Sequence, residues 1–335
     1  MATIYDIAKK TGFSITTVSR ALNDYPDVSA KTKKLILDTV KEIGYYPNSN
    51  ARSLTTKKSW TLGVIFIEDL GVGIKHPFFN AVIESFKQQV EKLGYDIIFL
   101  SQNIGEEKTS YLDHVLNRGV DGIIVVSSHH DDQEVIRLMN SSIPSVVIDL
   151  HSNKSSVVYS DNFSGGEMAV NQLYSLGHRK IAHIYGHPKT FAGSERLRGF
   201  THATEKHELL IPASYIVEGG FFSYQCGYDA MKLLLELKER PTAVFVAGDM
   251  MAIGAINAIQ DFGLNVPADF SIIGFDDIEI AKYMTPKLTT IRQDTDLIGK
   301  NAAKVLLNQI NDKSKVFSAV TIPVEIINRE STRKI

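Results

Sequence analysis

Cysteine is nearly absent from this chain: the single thiol, Cys226, can close no intramolecular disulfide and build no thiolate metal site. That scarcity fits a reducing compartment, and a cytoplasmic location is expected. No apolar run approaches the roughly eighteen residues of a membrane span. The opening MATIYDIAKK is amphipathic and includes Asp6, which does not suit a secretory leader. A nucleophile elbow, a phosphate-cradling glycine loop and histidines at metal-ligand spacing are all missing; His129-His130 and the other histidines are scattered. No enzyme, cofactor or metal is therefore expected. The final INRESTRKI carries no heptad of leucines, so no added tetramerising coil is expected either.

What is present is 335 residues, 44% hydrophobic and 22% charged, enough for two or three packed units of a globular protein. The net charge of −2 conceals an asymmetry. Residues 1–58 hold 10 Lys and Arg against 5 Asp and Glu, whereas the remainder holds 26 against 33. A basic head on an acidic body is the pattern of a protein that meets phosphate at one end.

Three short helices fit that head. Thr3 can cap the first, running to Gly12 with Asp6 in its first turn. Ser14 can cap the second, Ile15 to Leu22, after a link (Thr11-Gly12-Phe13-Ser14) of helix-turn-helix length. Ser29 opens the third, which stops at Gly44. On the second helix Val18 and Leu22 form the core stripe, leaving Ile15, Thr16, Ser19 and Arg20 on another face. Arg20 can fork onto a guanine edge, and Ile15 and Thr16 can meet a thymine methyl or base edge.

The runs TIYDIAKKTGFSITTVSRALN and VSAKTKKLILDTVKEIGYYPNSNARSL resemble the head of the lactose-repressor/galactose-repressor (LacI/GalR) family. The resemblance implies base-reading roles for Ile15, Thr16 and Arg20 and a hinge helix over 47–54, with Asn48, Ala51 and Arg52 beside a Leu54 that wedges into the minor groove. So short a helix is unstable alone and should form only on DNA. Two hinges are needed for one site, so a homodimer on a pseudo-palindromic operator is expected.

Beyond residue 60 apolar runs at 62–67, 95–101, 122–128 and 145–150 read as buried strands, with helices at 77–93, 106–118 and 132–140. A second series follows, with strands at 180–186, 215–219, 243–248 and 271–277 and helices near 163–176, 191–206, 225–237 and 249–262. Repeated βαβ units mean parallel sheets covered on both faces, with ligands bound beyond the carboxyl ends of the strands. The pieces HPFFNAVIESF, VDGIIVV, IPSVVID, SERLRGF, RPTAVFVAGDMMAIGA, GLNVPADFSIIGFDD and TPKLTTIRQD extend the resemblance over the body, and to periplasmic sugar-binding proteins. The expected fold class is an all-α helix-turn-helix head plus hinge helix, then an α/β periplasmic-binding-protein-like core of two doubly wound parallel-sheet lobes. The expected division is 1–46 for the head, 47–59 for hinge and linker, and 60–335 for the core. Crossings near 161, 291 and 322 would give a first lobe of 60–161 and 292–322 and a second of 162–291 and 323–335.

Position by position, the resemblance assigns ligand contacts to His76, Phe78, Phe79, Asp149, Arg196, Phe221 or Phe222, Asp276 and Gln293. The chemistry suits a small carbohydrate: carboxylates accept hydroxyl hydrogens, a guanidinium forks onto adjacent oxygens, and aromatic faces cover C–H faces. One departure is Gly248, where many sugar-binding members carry a ligand-contacting Asn. It keeps a purine-like co-repressor open as the alternative effector. Asp249 is expected to cap the helix that follows. Ligand closure of the lobes is expected to release DNA, with co-repression as the other sign.

Overall fold

The computed structural model describes residues 2–45, 58–66, 73–104, 106–126, 131–150, 152, 154–312 and 316–335. The expected hinge residues Asn48, Ala51, Arg52 and Leu54, and the pair His129-His130, lie outside the described residues. The chain divides into two compact units, 1–59 and 60–335.

The first unit holds three helices, α1 (Ile4–Thr11), α2 (Ile15–Leu22) and α3 (Ala30–Ile43). Their termini follow local chemistry. The Asp6 carboxylate accepts from both the backbone N–H and the hydroxyl of Thr3, each at 2.8 Å. Ser14 Oγ accepts from Thr17 N at 3.1 Å, and Ser29 Oγ from Thr32 N at 3.2 Å. Gly12 and Gly44 end α1 and α3 in the left-handed conformation. Ile7, Val18, Ala21 and Ile36 make the core. So small a core leaves most of α2 free to present.

The second unit contains two sheets. Its elements are β1 (Thr61–Phe66), α4 (Pro77–Glu91), β2 (Asp96–Leu100), β3 (Asn103–Ile104), β4 (Glu107–Lys108), α5 (Tyr111–Arg118), β5 (Gly122–Val126), α6 (Gln133–Met139), β6 (Ser145–Ile148), β7 (Ser156–Ser160), α7 (Asn162–Ser175), β8 (Ile181–Tyr185), α8 (Phe191–Lys206), β9 (Ile216–Glu218), α9 (Tyr224–Leu235), β10 (Ala243–Val246), α10 (Asp249–Asp261), β11 (Ser271–Asp276), β12 (Thr289–Gln293), α11 (Thr295–Asn311), β13 (Ala319–Ile322) and β14 (Val324–Ile327). The first sheet runs β13-β7-β6-β5-β1-β2 and the second β14-β12-β11-β10-β8-β9. Every neighbouring pair in the first sheet is parallel. In the second, only the edge pair β12–β14 is antiparallel.

Each sheet has an apolar cluster on both faces, as a sheet sandwiched between helices requires. One expected helix is shorter than the sequence reading, since residues 103–104 and 107–108 pair as a short antiparallel hairpin and the helix begins only at Tyr111; β7, β12, α11, β13 and β14 lie where no element was expected. The chain passes between sheets three times, each time through one residue. Asp161 separates β7 from α7, Asp294 separates β12 from α11, and Pro323 separates β13 from β14. Both aspartates cap the helix they precede, Asp161 to Ser164 N at 3.0 Å and Asp294 to Leu297 N at 2.8 Å.

Two glycines fix the helix pair that carries the site. A Cβ on Gly166 would lie 2.5 Å from the carbonyl oxygen of Arg196, and one on Gly199 would strike the carbonyl oxygen of Phe163. The backbones of α7 and α8 therefore touch directly.

Candidate effector site and DNA-reading face

On the head, Val18 and Ala21 turn inward while Ile15, Thr16 and Arg20 are exposed and Ser19 is half-buried. A face of that composition can reach base edges in a major groove.

In the second unit the expected ligand residues converge on the strand ends. Asp276 ends β11, Asp149 follows β6, and Phe222 follows β9. All three hold positive φ, at 122°, 52° and 53° respectively. Such conformations cost non-glycine residues about 1–3 kcal/mol each and cluster where side chains are held for a task.

At the centre lies Arg196, on the second turn of α8 and only 2% exposed. Its Nε donates to Asn162 Oδ1 at 2.8 Å and its Nη1 to Ala247 O at 2.5 Å. The guanidinium carbon sits 3.6 Å from the Phe275 ring centre and 5.5 Å from that of Phe222. Nη1 approaches Asp276 Oδ1 at 3.9 Å, and Gln293 Nε2 donates to the same oxygen at 2.7 Å. Asn162, whose Nδ2 donates to Ser160 O at 3.0 Å, was missed from sequence. It stands two residues beyond the end of β7, a strand that the sequence reading does not contain.

Several buried side-chain atoms here have no hydrogen-bond partner among the described residues: Asp149 Oδ1, Gln293 Oε1 and both ring nitrogens of His76. Buried polar atoms are normally satisfied, so a cluster of unsatisfied ones calls for partners that the described residues do not supply. The Gly248 position faces the same place. A Cβ there would lie 3.2 Å from Phe222 Cδ1 and 3.7 Å from Asp276 Oδ2. A cavity of about 760 Å³ opens alongside, lined in part by Phe78, Asp276, Gln293 and Pro323.

The aromatic residues divide. Phe78 is 4% exposed and belongs to the first-lobe core, edge-to-face on Phe79 at 5.1 Å. Phe79 and His76 remain half-buried, 5.4 Å apart. Phe222 lies over Arg196, whereas Phe221 stacks on His187 at 4.3 Å. Asp249 does not cap α10: the cap is Gly248. The fully buried Asp249 carboxylate instead accepts from Thr290 Oγ1 at 2.6 Å and Ile278 N at 2.9 Å, tying α10 to β12 and the segment after β11. A distant hydroxyl and amide outcompete the local N-cap.

Burial dominates the electrostatics. It pushes the Asp149 carboxyl up to about 6 against the pull of Arg196, and raises Asp276 in the same way. Asp249 is driven well up by burial and by Asp276 beside it. His76 falls to about 4 through burial and the Arg196 charge, so it is neutral at pH 7. Because Asp149 titrates higher folded than unfolded, its ionised form costs stability above pH 6, a cost that fades as pH drops toward 4. Asp149→Asn should accordingly stabilise the protein by about 1–3 kcal/mol at pH 7.5. Urea melts should show that gain shrinking by pH 5; a destabilised variant at pH 7.5 would contradict it.

Comparison with known proteins bears on both units. The model of "Bacterial regulatory proteins, lacI family" matches residues 3–48, and that of the "Periplasmic binding protein-like domain" matches 170–332. The HTH-type transcriptional repressor PurR of Haemophilus influenzae (strain PittEE) is 36% identical over 341 residues, covering 100% of both chains. This chain belongs to the LacI family. Among solved structures, the lac repressor dimer bound to operator and the anti-inducer ONPF superposes with a TM-score of 0.85 at 29% identity, over 99% of each chain. A CelR–cellobiose complex superposes at 0.73 and 27% identity, over 99% of this chain and 100% of that one. The chain is thus a LacI-family DNA-binding transcriptional repressor and not an enzyme; its partners are operator DNA and a small-molecule effector. Among the described residues no helix is long and apolar enough to cross a membrane.

Proposed function

We propose that the repressor's operator affinity is controlled by a small carbohydrate bound between the lobes, contacting Arg196, Asp149, Asp276, Gln293, His76, Phe79 and Phe222. The observation that carries this reading is a buried guanidinium 3.9 Å from Asp276 and within electrostatic reach of Asp149, with Asp149 Oδ1, Gln293 Oε1 and the His76 imidazole lacking partners among the described residues. Hydroxyl groups both donate and accept, and so complement that mixture. The similar CelR chain was solved with cellobiose.

A planar, purine-like effector is the second reading. Gly248 favours it, because Phe222 packs so closely on this backbone, 3.2 Å from where a Cβ would stand, that the position presents an aromatic face and no side-chain amide for a sugar hydroxyl. In either reading residues 1–46 are the DNA-binding head, 47–59 the hinge and 60–335 the sensor. The protein acts in the cytoplasm as a dimer. Support for the dimer comes from the first lobe, where edge strand β2 exposes Phe99 by 53% and the neighbouring α5 exposes Leu116 by 63%.

A thermal-shift screen against monosaccharides, disaccharides and purine bases separates the readings. A true effector at a hundred times its Kd stabilises by about 2.7 kcal/mol, a shift on the order of 5 °C. A sugar hit should also change operator affinity. A hit among the purines alone would transfer the site to the second reading.

A further inference from the structure

Arg20 sits in the last turn of α2, and the loop that follows closes back on it. Tyr25 N donates to the Arg20 carbonyl at 3.0 Å, and the Tyr25 ring centre lies 5.1 Å from the guanidinium carbon. Asp27 takes two of the guanidinium donors: Nε to Oδ1 at 3.2 Å and Nη2 to Oδ2 at 2.6 Å. A guanidinium has five N–H donors in a fixed fork. This pairing occupies the Nε/Nη2 edge only. The Nη1/Nη2 edge remains, and its spacing matches guanine O6 and N7.

A carboxylate beside a DNA-reading arginine calls for an explanation. It repels phosphate, on a unit whose charge is otherwise basic. Both side chains are about half exposed, at 46% and 51%, so the pair adds little to folding stability. What it does supply is geometry: it removes rotamer freedom from a long side chain before any DNA arrives.

We propose that Asp27 is a positioning residue for sequence recognition. It grips Arg20 by one edge so that the other is presented to a guanine, and its charge keeps Arg20 from settling on the DNA backbone. The proposal rests on Arg20 reading a base.

The test uses the full-length protein with two duplexes, in the effector condition that gives the tighter selection. One duplex is selected by the wild-type chain from a randomised pool, and the other is a scrambled version of it. Asp27→Asn should weaken binding to the selected duplex about 3- to 10-fold and strengthen binding to the scrambled one about 3-fold. The salt dependence on scrambled DNA should steepen by about one phosphate's worth, as the freed arginine finds the backbone. In an Arg20→Ala background Asp27→Asn should leave discrimination unchanged, because nothing remains to be positioned. Equal gains on both duplexes, or an effect that persists without Arg20, would overturn the proposal. Arg20→Ala alone separates the two ideas: a loss of about 10- to 100-fold on the selected duplex only upholds the base contact. Equal losses on both remove the base contact and the role of Asp27 together.

Discussion

Arg196→Met should destabilise the second unit by about 3–5 kcal/mol at pH 7.5. Methionine fills much of the same volume, so the loss comes from charge. The guanidinium approaches Asp276, acts electrostatically on Asp149, donates to Asn162 and the Ala247 carbonyl, and lies on Phe275. Its removal strands two buried carboxylates that are already reluctant to ionise. They would then take up protons near neutral pH, so the deficit measured by urea denaturation should narrow toward pH 5. A loss below about 1 kcal/mol at pH 7.5 would mean that the carboxylates never depended on Arg196.

Asp276→Ala should weaken effector binding by about 100-fold while leaving operator affinity without effector nearly unchanged. A charge-assisted hydrogen bond contributes about 1.5–3 kcal/mol, and truncation also unpairs the Gln293 amide that donates to Oδ1. Folding should tolerate the change, since a buried carboxylate next to Asp249 is being removed. Calorimetry with the effector found by thermal screening reads the first half, and DNA titration the second. A variant that stays folded but loses operator binding outright would make Asp276 part of the framework rather than of the ligand site.

The elements that carry both candidate sites were legible in the sequence where signals are local, whereas the site residues themselves came from the family resemblance. The strands read from runs such as SVVID and SIIGFD, and the helix caps at Ser14 and Ser29, depend on neighbours within a few residues. Asp149, Asp276 and Gln293 stand at the carboxyl ends of strands in the two sheets, and Arg196 near the start of the helix that follows β8, which is where parallel sheets gather such groups. What escaped depends on distance along the chain. Asp249 has the pattern of a helix cap, but its partner Thr290 lies on another strand. β7, β12, α11, β13 and β14 were not read as elements; the last three follow crossings between the lobes, so they fall outside the regular alternation of each βαβ series. The Glu- and Lys-rich stretch before Tyr111 looks helical by propensity, yet it pairs as a hairpin. Gly166 and Gly199 give no pattern at all until the helices they join are known.

The three single-residue crossings at Asp161, Asp294 and Pro323 set the mechanics of the sensor. Each tether is too short to let the lobes slide or separate, and two of them are locked as helix caps. What such short tethers leave open is rotation of one lobe against the other. That rotation belongs to the backbone, whereas recognition of the proposed effector belongs to side chains at the strand ends. New cleft residues could therefore tune the machine to a different molecule, and the same rotation would still carry the message.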